Sequence, residues 1–142
     1  MYNAGDIIKH NAREALSVAP DVPVLEALRF MATHNIGAVL VIEHDQLVGI
    51  FSERDYARKV VLQNRSSATT RVRDVMVSQL ITVEASATLA DCMQLMTDHN
   101  IRHLPVFEAQ SLMGVISVRD VVRHLIEEQR HLIMQLEAYI HS

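Results

Sequence analysis

Two short stretches carry side chains whose types and spacing can do chemistry. Gly49-Ile50-Phe51-Ser52-Glu53-Arg54-Asp55 and Gly114-Val115-Ile116-Ser117-Val118-Arg119-Asp120 share one pattern. An apolar run ends, a hydroxyl follows, and a carboxylate comes three residues later where a helix is expected to open. The first turn of a helix has unpaired N–H groups and partial positive charge, which suit an anion. Ser52 or Ser117 can add a hydroxyl to a phosphate held there. Asp55 or Asp120 can accept hydrogen bonds from two adjacent hydroxyls, as a carboxylate does on a ribose. Arg54 and Arg119 can bring positive charge to the same place. Ser-x-x-Asp at a helix start is also an ordinary cap. Its occurrence twice in register argues for a site.

The register comes from an internal repeat. His34 through Val61 lies over His99 through Ile126 at an offset of 65, and 11 of the 28 positions are identical. About two identities would arise by chance at average residue usage. A repeat of this length makes any site come twice. Each copy reads as strand–helix–strand–strand–helix. In the first, Asp21 and Pro23 start a helix with apolar residues at helical spacing (Val24, Leu28 and Met31), and Asn35 is a left-handed stop. Ala38–Ile42 and Leu47–Phe51 form a hairpin around His44-Asp45-Gln46. A helix then runs from Ser52 to about Asn64, followed by the polar stretch Ser66–Thr70. In the second copy a strand is expected at Leu80–Val83, a helix over Leu89–Thr97, and a hairpin of His103–Phe107 with Leu112–Ile116. Pro105 lacks a backbone donor and so points to a strand edge or a cleft. The last helix, from Ser117–Asp120 to about Ile140, outruns the repeat. It shows a stripe of Val122, Leu125, Gln129, Leu132, Leu136 and Tyr139 at heptad-like spacing, which predicts burial in a homodimer.

Composition sets the class. The chain of 142 residues is 49% apolar and 4% aromatic, an aliphatic α/β profile. Each copy alone is near the size where a core is marginal, so a single unit with a shared core is expected. There is no apolar run long enough to span a membrane, and Met1–Asp6 does not resemble a signal peptide. The single cysteine, Cys92, reads as a buried thiol in a reducing cytoplasm. A net charge of −4 with only two lysines, Lys9 and Lys59, disfavours nucleic-acid binding. The four glycines build neither a dinucleotide turn nor a P-loop. The eight histidines form no close ligand pair, and no nucleophile elbow accompanies Ser, His and Asp. No metal and no catalytic group are expected.

These residues resemble a known family. The Ser-x-x-Asp endings are joined by Ile36-Gly37-Ala38-Val39-Leu40-Val41 and Ile101-Arg102-His103-Leu104-Pro105-Val106. The segment Val72-Arg73-Asp74-Val75-Met76 matches the usual lead-in to a second copy. Together they resemble the CBS domain, and two in tandem resemble the CBS pair, or Bateman module. The resemblance implies an α/β fold of two repeats packed with pseudo-two-fold symmetry, covering 7–64 and 72–126. A linker lies at 65–71 and a helical extension at 127–142. It implies a regulatory, dimeric, cytoplasmic protein without enzyme activity or obligatory cofactor. Adenosine-containing ligands (AMP, ADP, ATP or S-adenosylmethionine) would bind in clefts between the copies, and a separate protein partner would read the result. Carried over, Asp55 and Asp120 hold ribose, while Ser52 and Ser117 attend the phosphates. Leu104 and Pro105 belong to the ligand-facing segment. That segment is Gly37-Ala38 in the first copy and Arg102-His103 in the second. If it faces the other copy's phosphates, the Asp55 site gains two cationic groups and is the tighter one. Ile7–Ile8, Val72–Met76, Ser17-Val18 and Thr82-Val83 are expected to line the base pockets, with three extra residues in the first copy within Lys9–Leu16. The competing reading is a dimerisation or partner-binding module with vestigial pockets.

Overall fold

The computed structural model describes residues 1–11 and 15–141. The elements in order are α1 (Ala4–Asn11), β1 (Ser17–Val18), α2 (Val24–His34), β2 (Ala38–Glu43), β3 (Gln46–Ser52), α3 (Glu53–Tyr56), β4 (Val83–Glu84), α4 (Leu89–His99), β5 (His103–Glu108), β6 (Ser111–Ser117) and α5 (Val118–His141). The repeated order of strand, helix, hairpin and helix is the one the sequence predicts. Helix α3 passes into a π-helical turn over Ala57–Val61, and Val72–Asp74 form a 3-10 turn. Among the described residues no helix is long and apolar enough to cross a membrane.

Each copy builds a three-stranded sheet, ordered β1-β2-β3 in one and β4-β5-β6 in the other. The first pair of each sheet is parallel and the hairpin antiparallel, with an irregularity after Val41 and after Val106. The two registers correspond residue for residue at the offset of 65. So does the buried set. Val24, Ala27 and Met31 of α2 match Leu89, Cys92 and Met96 of α4, while Val39, Val41 and Phe51 match Leu104, Val106 and Ile116. Burial therefore repeats where identity has been lost, because volume and apolarity suffice to fill a core. Pro105 lies in the central strand of its sheet. The short strand β4 pairs only with Val106 and Phe107, so one flank of Pro105 carries no ladder to interrupt.

The compact units cut across the sequence repeats. Residues 15–80 form one, and residues 1–14 join 81–142 to form the other. Each has its own cluster of buried side chains, where the sequence had suggested one shared core. Helix α1 belongs to the unit of the second sheet. Its first N–H groups, from Ala4 and Gly5, donate to Ala87 O at 3.0 Å and Ala85 O at 2.9 Å. Asn3 and Asp6 form a reciprocal cap at 2.9 Å each way. Ile7 is fully buried there and Ile8 approaches Gly114. The segment Val72–Val77 serves the first sheet in a different way. Val72 and Val75 are buried in its core, and Val77 exchanges two 2.9 Å backbone hydrogen bonds with Ile50. A Cβ on Gly49 would lie 2.5 Å from Met76 Sδ and 3.1 Å from Val77 O, so glycine is what permits this approach. Ile7, Val72 and Val75, expected to wall base pockets, are thus core residues. Of the stretch with three extra residues, 12–14 lie outside the described residues.

The polar segment after α3 is anchored. Ser67 O and Thr70 O accept from Leu25 N–H at 3.0 Å and Val24 N–H at 2.8 Å. They satisfy the open start of α2, where Pro23 supplies no side-chain cap. The matching helix α4 uses Thr88, whose hydroxyl accepts from Asp91 N–H at 3.0 Å. Asn35 (φ 53°) and Asn100 (φ 52°) close α2 and α4 in the left-handed conformation, as expected. Both hairpins turn through two positive-φ residues, His44-Asp45 and Ala109-Gln110, without a glycine. In α5, Val121 and His124 are buried and Leu125 packs on its own core, so Leu125 does not belong to an outward stripe. From Gln129 to His141 every residue is exposed.

Candidate functional site

The Ser-x-x-Asp stretches sit where a strand hands over to a helix. Ser52 ends β3 in an extended conformation, and its Oγ accepts from Asp55 N–H at 3.2 Å. Asp55 turns back on the same residue. Its Oδ2 accepts from Ser52 N–H and from the Ser52 hydroxyl, each at 2.9 Å. The second copy repeats the exchange. Ser117 N–H donates to Asp120 Oδ2 at 2.9 Å, and Asp120 N–H donates to Ser117 Oγ at 3.1 Å. Each cradle is a capping box that also fixes a carboxylate at a helix start. The residue just before the neighbouring strand completes it. Glu53 N–H donates to Gly37 O at 3.1 Å and Val118 N–H to Arg102 O at 2.9 Å.

Within each copy the hairpin sets the Ser-x-x-Asp stretch beside the segment that opens the neighbouring strand. Ala38 pairs across the hairpin with Ser52, and His103 with Ser117, which puts each pair on one face of its sheet. Leu104 and Ile116 point the other way and are fully buried in the core. Leu104, expected among the ligand-facing residues, is instead a packing residue, because the side-chain alternation of β5 turns it inward. Pro105 and Ala38 are buried, Gly37 and His103 half-buried, and Arg102 and Arg119 exposed. Arg54 is half-buried at the start of α3.

One participant was missed by the sequence reading. Lys59 Nζ lies 3.2 Å from Asp55 Oδ1 and donates to Val75 O at 3.0 Å. Asp55 is 9% exposed, with both oxygens engaged by its own unit. The signal was available: an acid four residues before a base on one helix. In the second copy the same position is His124. Its ring is buried, with Nδ1 2.9 Å from the backbone carbonyl of Asp120, and the rings of Tyr2 and His10 meet it edge-on at 5.2 Å. Asp120, whose side chain is partly exposed, has no lysine at the matching position. The two carboxylates thus differ in availability. Lys59 holds Oδ1 of Asp55, whereas His124 at the matching position turns to the backbone carbonyl of Asp120.

Among the described residues no cluster of histidine, cysteine, aspartate or glutamate could hold a metal ion. Cys92 is buried in α4, and desolvation pushes its thiol above the ordinary range, with Asp91 adding to the effect.

Comparison with known proteins places the pattern. The family model described as "CBS domain" matches residues 4–62 and again 72–127. A mitochondrial CBS domain-containing protein of Arabidopsis thaliana, CBSX3, is 40% identical over 144 residues, covering 95% of this chain and 70% of its own. A CBS-domain protein of Burkholderia ambifaria superposes with a TM-score of 0.85 at 43% identity, over 89% of this chain and 96% of that one. The CBS domain pair of protein MJ0100, solved with 5'-methylthioadenosine and S-adenosylmethionine, superposes with a TM-score of 0.76 at 21% identity, over 90% and 98%; at that identity the likeness is one of fold.

Proposed function

The chain belongs to the CBS-domain family, with two such domains in tandem, and on that premise we propose that it is a regulatory binding module for adenosine-containing ligands. The observation that carries this reading is the duplicated cradle, in which Ser52–Asp55 and Ser117–Asp120 each fix a carboxylate and a hydroxyl at a helix start. Asp55 and Asp120 take the ribose hydroxyls, which are donors and match a carboxylate. Ser52 and Ser117 keep accepting their capping N–H bonds and turn the hydroxyl proton to a phosphate oxygen. Arg54, Arg119, Arg102 and His103 supply charge for a phosphate tail. AMP, ADP, ATP and S-adenosylmethionine all carry the required ribose. The complex of the MJ0100 pair with two adenosine derivatives supports the ligand class.

The two sites are not equivalent in this proposal. Lys59 adds a cation beside Asp55, which favours a phosphorylated ligand there, while also competing for the carboxylate. Asp120 has His124 at the matching position in place of a lysine, with its ring turned to the backbone, which suits a ligand of lower negative charge. This qualifies the ranking based on Arg102 and His103 alone, in which the Asp55 site is simply the tighter. The protein acts by population shift: ligand favours one conformation and a separate protein partner reads it. No catalytic step is assigned to Ser52 or Ser117, since both hydroxyls serve as caps.

The test is thermal unfolding and titration calorimetry with adenosine, AMP, ADP, ATP and S-adenosylmethionine. At least one should stabilise the protein, by about 2.7 kcal/mol at a hundredfold excess over its dissociation constant. Asp55→Asn and Asp120→Asn keep an oxygen for the cap, and each should remove one binding event while the apo protein stays folded. If none of the five binds, the module serves assembly or partner binding instead, with its pockets vestigial.

A further inference from the structure

Helix α5 exposes a seam that keeps Val122, Gln129 and Leu136 of the sequence stripe and replaces Leu125, Leu132 and Tyr139 with three isoleucines. Val122, Ile126, Gln129, Ile133, Leu136 and Ile140 recur at spacings of four, three, four, three and four. At 3.6 residues per turn these six fall along one line of the helix. All six are exposed: Val122 at 41%, Ile126 at 45%, Ile133 at 54%, Leu136 at 53% and Ile140 at 73%, with Gln129 among them. The face at right angles to it, with Val121 and Leu125, is already occupied by the helix's own core. A soluble helix does not keep three isoleucines and a leucine in line on its free side without something to cover them.

We propose that this seam is closed by the same seam of a second copy, as a two-stranded coiled coil. The heptad fits that occupant. β-branched Ile126, Ile133 and Ile140 fall at alternate core positions, with Val122, Gln129 and Leu136 between them, and isoleucine at a with leucine at d favours two strands. Gln129 is the lone polar group in the seam, the kind of residue that fixes register and strand number at some cost in stability. The area also fits. The exposed parts of the apolar seam residues, with Leu132 and Tyr139 beside them (56% and 81% exposed), amount to roughly 700–800 Å² on each copy. That is about one partner's share of a standard stable interface. The seam shares no residue with the Ser52–Asp55 or Ser117–Asp120 cradles, so this inference does not rest on ligand binding.

The experiment uses the full chain in analytical ultracentrifugation over a wide concentration range. The wild type should associate, and Ile133→Glu with Leu136→Glu should halve the mass or weaken association by about a hundredfold. Both positions are exposed in the single chain, so folding, followed by circular dichroism, should persist. Met134→Glu, exposed but off the seam, should leave association unchanged. A monomeric wild type would overturn the proposal, and so would a double variant that keeps the wild-type mass. Adenosine-ligand titration of the double variant should match that of the wild type, which separates this inference from the ligand reading.

Discussion

Gly49→Ala is the sharpest probe of how the first cradle is held. A Cβ at that position would meet Met76 Sδ at 2.5 Å, Met76 Cγ at 3.0 Å and Val77 O at 3.1 Å. Ordinary carbon contacts lie near 3.5–4.0 Å. The methionine sulfur must therefore move by about 1 Å or more, and the Val77 carbonyl by several tenths of an ångström. Overpacking of this kind costs about 1–3 kcal/mol. The Val77 backbone also exchanges two hydrogen bonds with Ile50, each 2.9 Å. Lifting the segment weakens both, at about 0.5–1.5 kcal/mol each. The expected loss is about 2–6 kcal/mol in urea unfolding followed by circular dichroism. Met76→Ala, which removes the sulfur, separates the two contributions. The double variant should fall short of the sum of the singles by at least about 1 kcal/mol, and what remains reports the Val77 carbonyl. The effect should reach ligand binding, because Lys59 spans Asp55 and the Val75 carbonyl of the same segment. A Gly49→Ala protein within about 0.5 kcal/mol of wild type, or a double variant with additive losses, would refute this account of the segment.

Two further outcomes test local features. Lys59→Met should cost about 1 kcal/mol of stability, since its ion pair is partly solvated. It should also tighten adenosine at the Asp55 site by about threefold to fivefold in calorimetry, through the freed Oδ1; unchanged or weaker adenosine binding would show that Lys59 does not compete with the ribose. Replacing Ala109-Gln110 with Asn-Gly should raise stability by about 1–2 kcal/mol in the same urea assay, because both residues sit at positive φ.

Much of the fold was readable because its signals are local and doubled. Apolar spacing marked α2 and α4, Asn35 and Asn100 marked their ends, and the hairpins were bounded by short polar turns. Ser-x-x-Asp was visible because a cap is written in three consecutive steps of chain. Helix α1 was not read. Its eight residues are too few to be stable alone, and its N–H groups are satisfied by carbonyls of residues 85 and 87. The π turn over Ala57–Val61 carries no composition of its own. Leu104 was misplaced because a motif position does not say which face of a strand it occupies. The outward stripe on α5 was drawn through Leu125 because two apolar lines overlap on that helix, and only burial tells them apart.

The sequence alone determined that there are two copies, that each is α/β, and that each carries one hydroxyl and one carboxylate at a helix start. Short-range geometry and hydrophobic periodicity are enough for that. Only the tertiary structure decided which segments belong together. Residues 1–14 complete the unit of the second sheet, and Val72–Val77 complete that of the first. It also decided that Asp55 is held by Lys59, while His124 at the matching place turns to the Asp120 carbonyl. These outcomes depend on which distant groups satisfy buried N–H, carbonyl and apolar surface. The repeat at an offset of 65 gives the two cradles their common pattern, and the packing around them sets how each one differs.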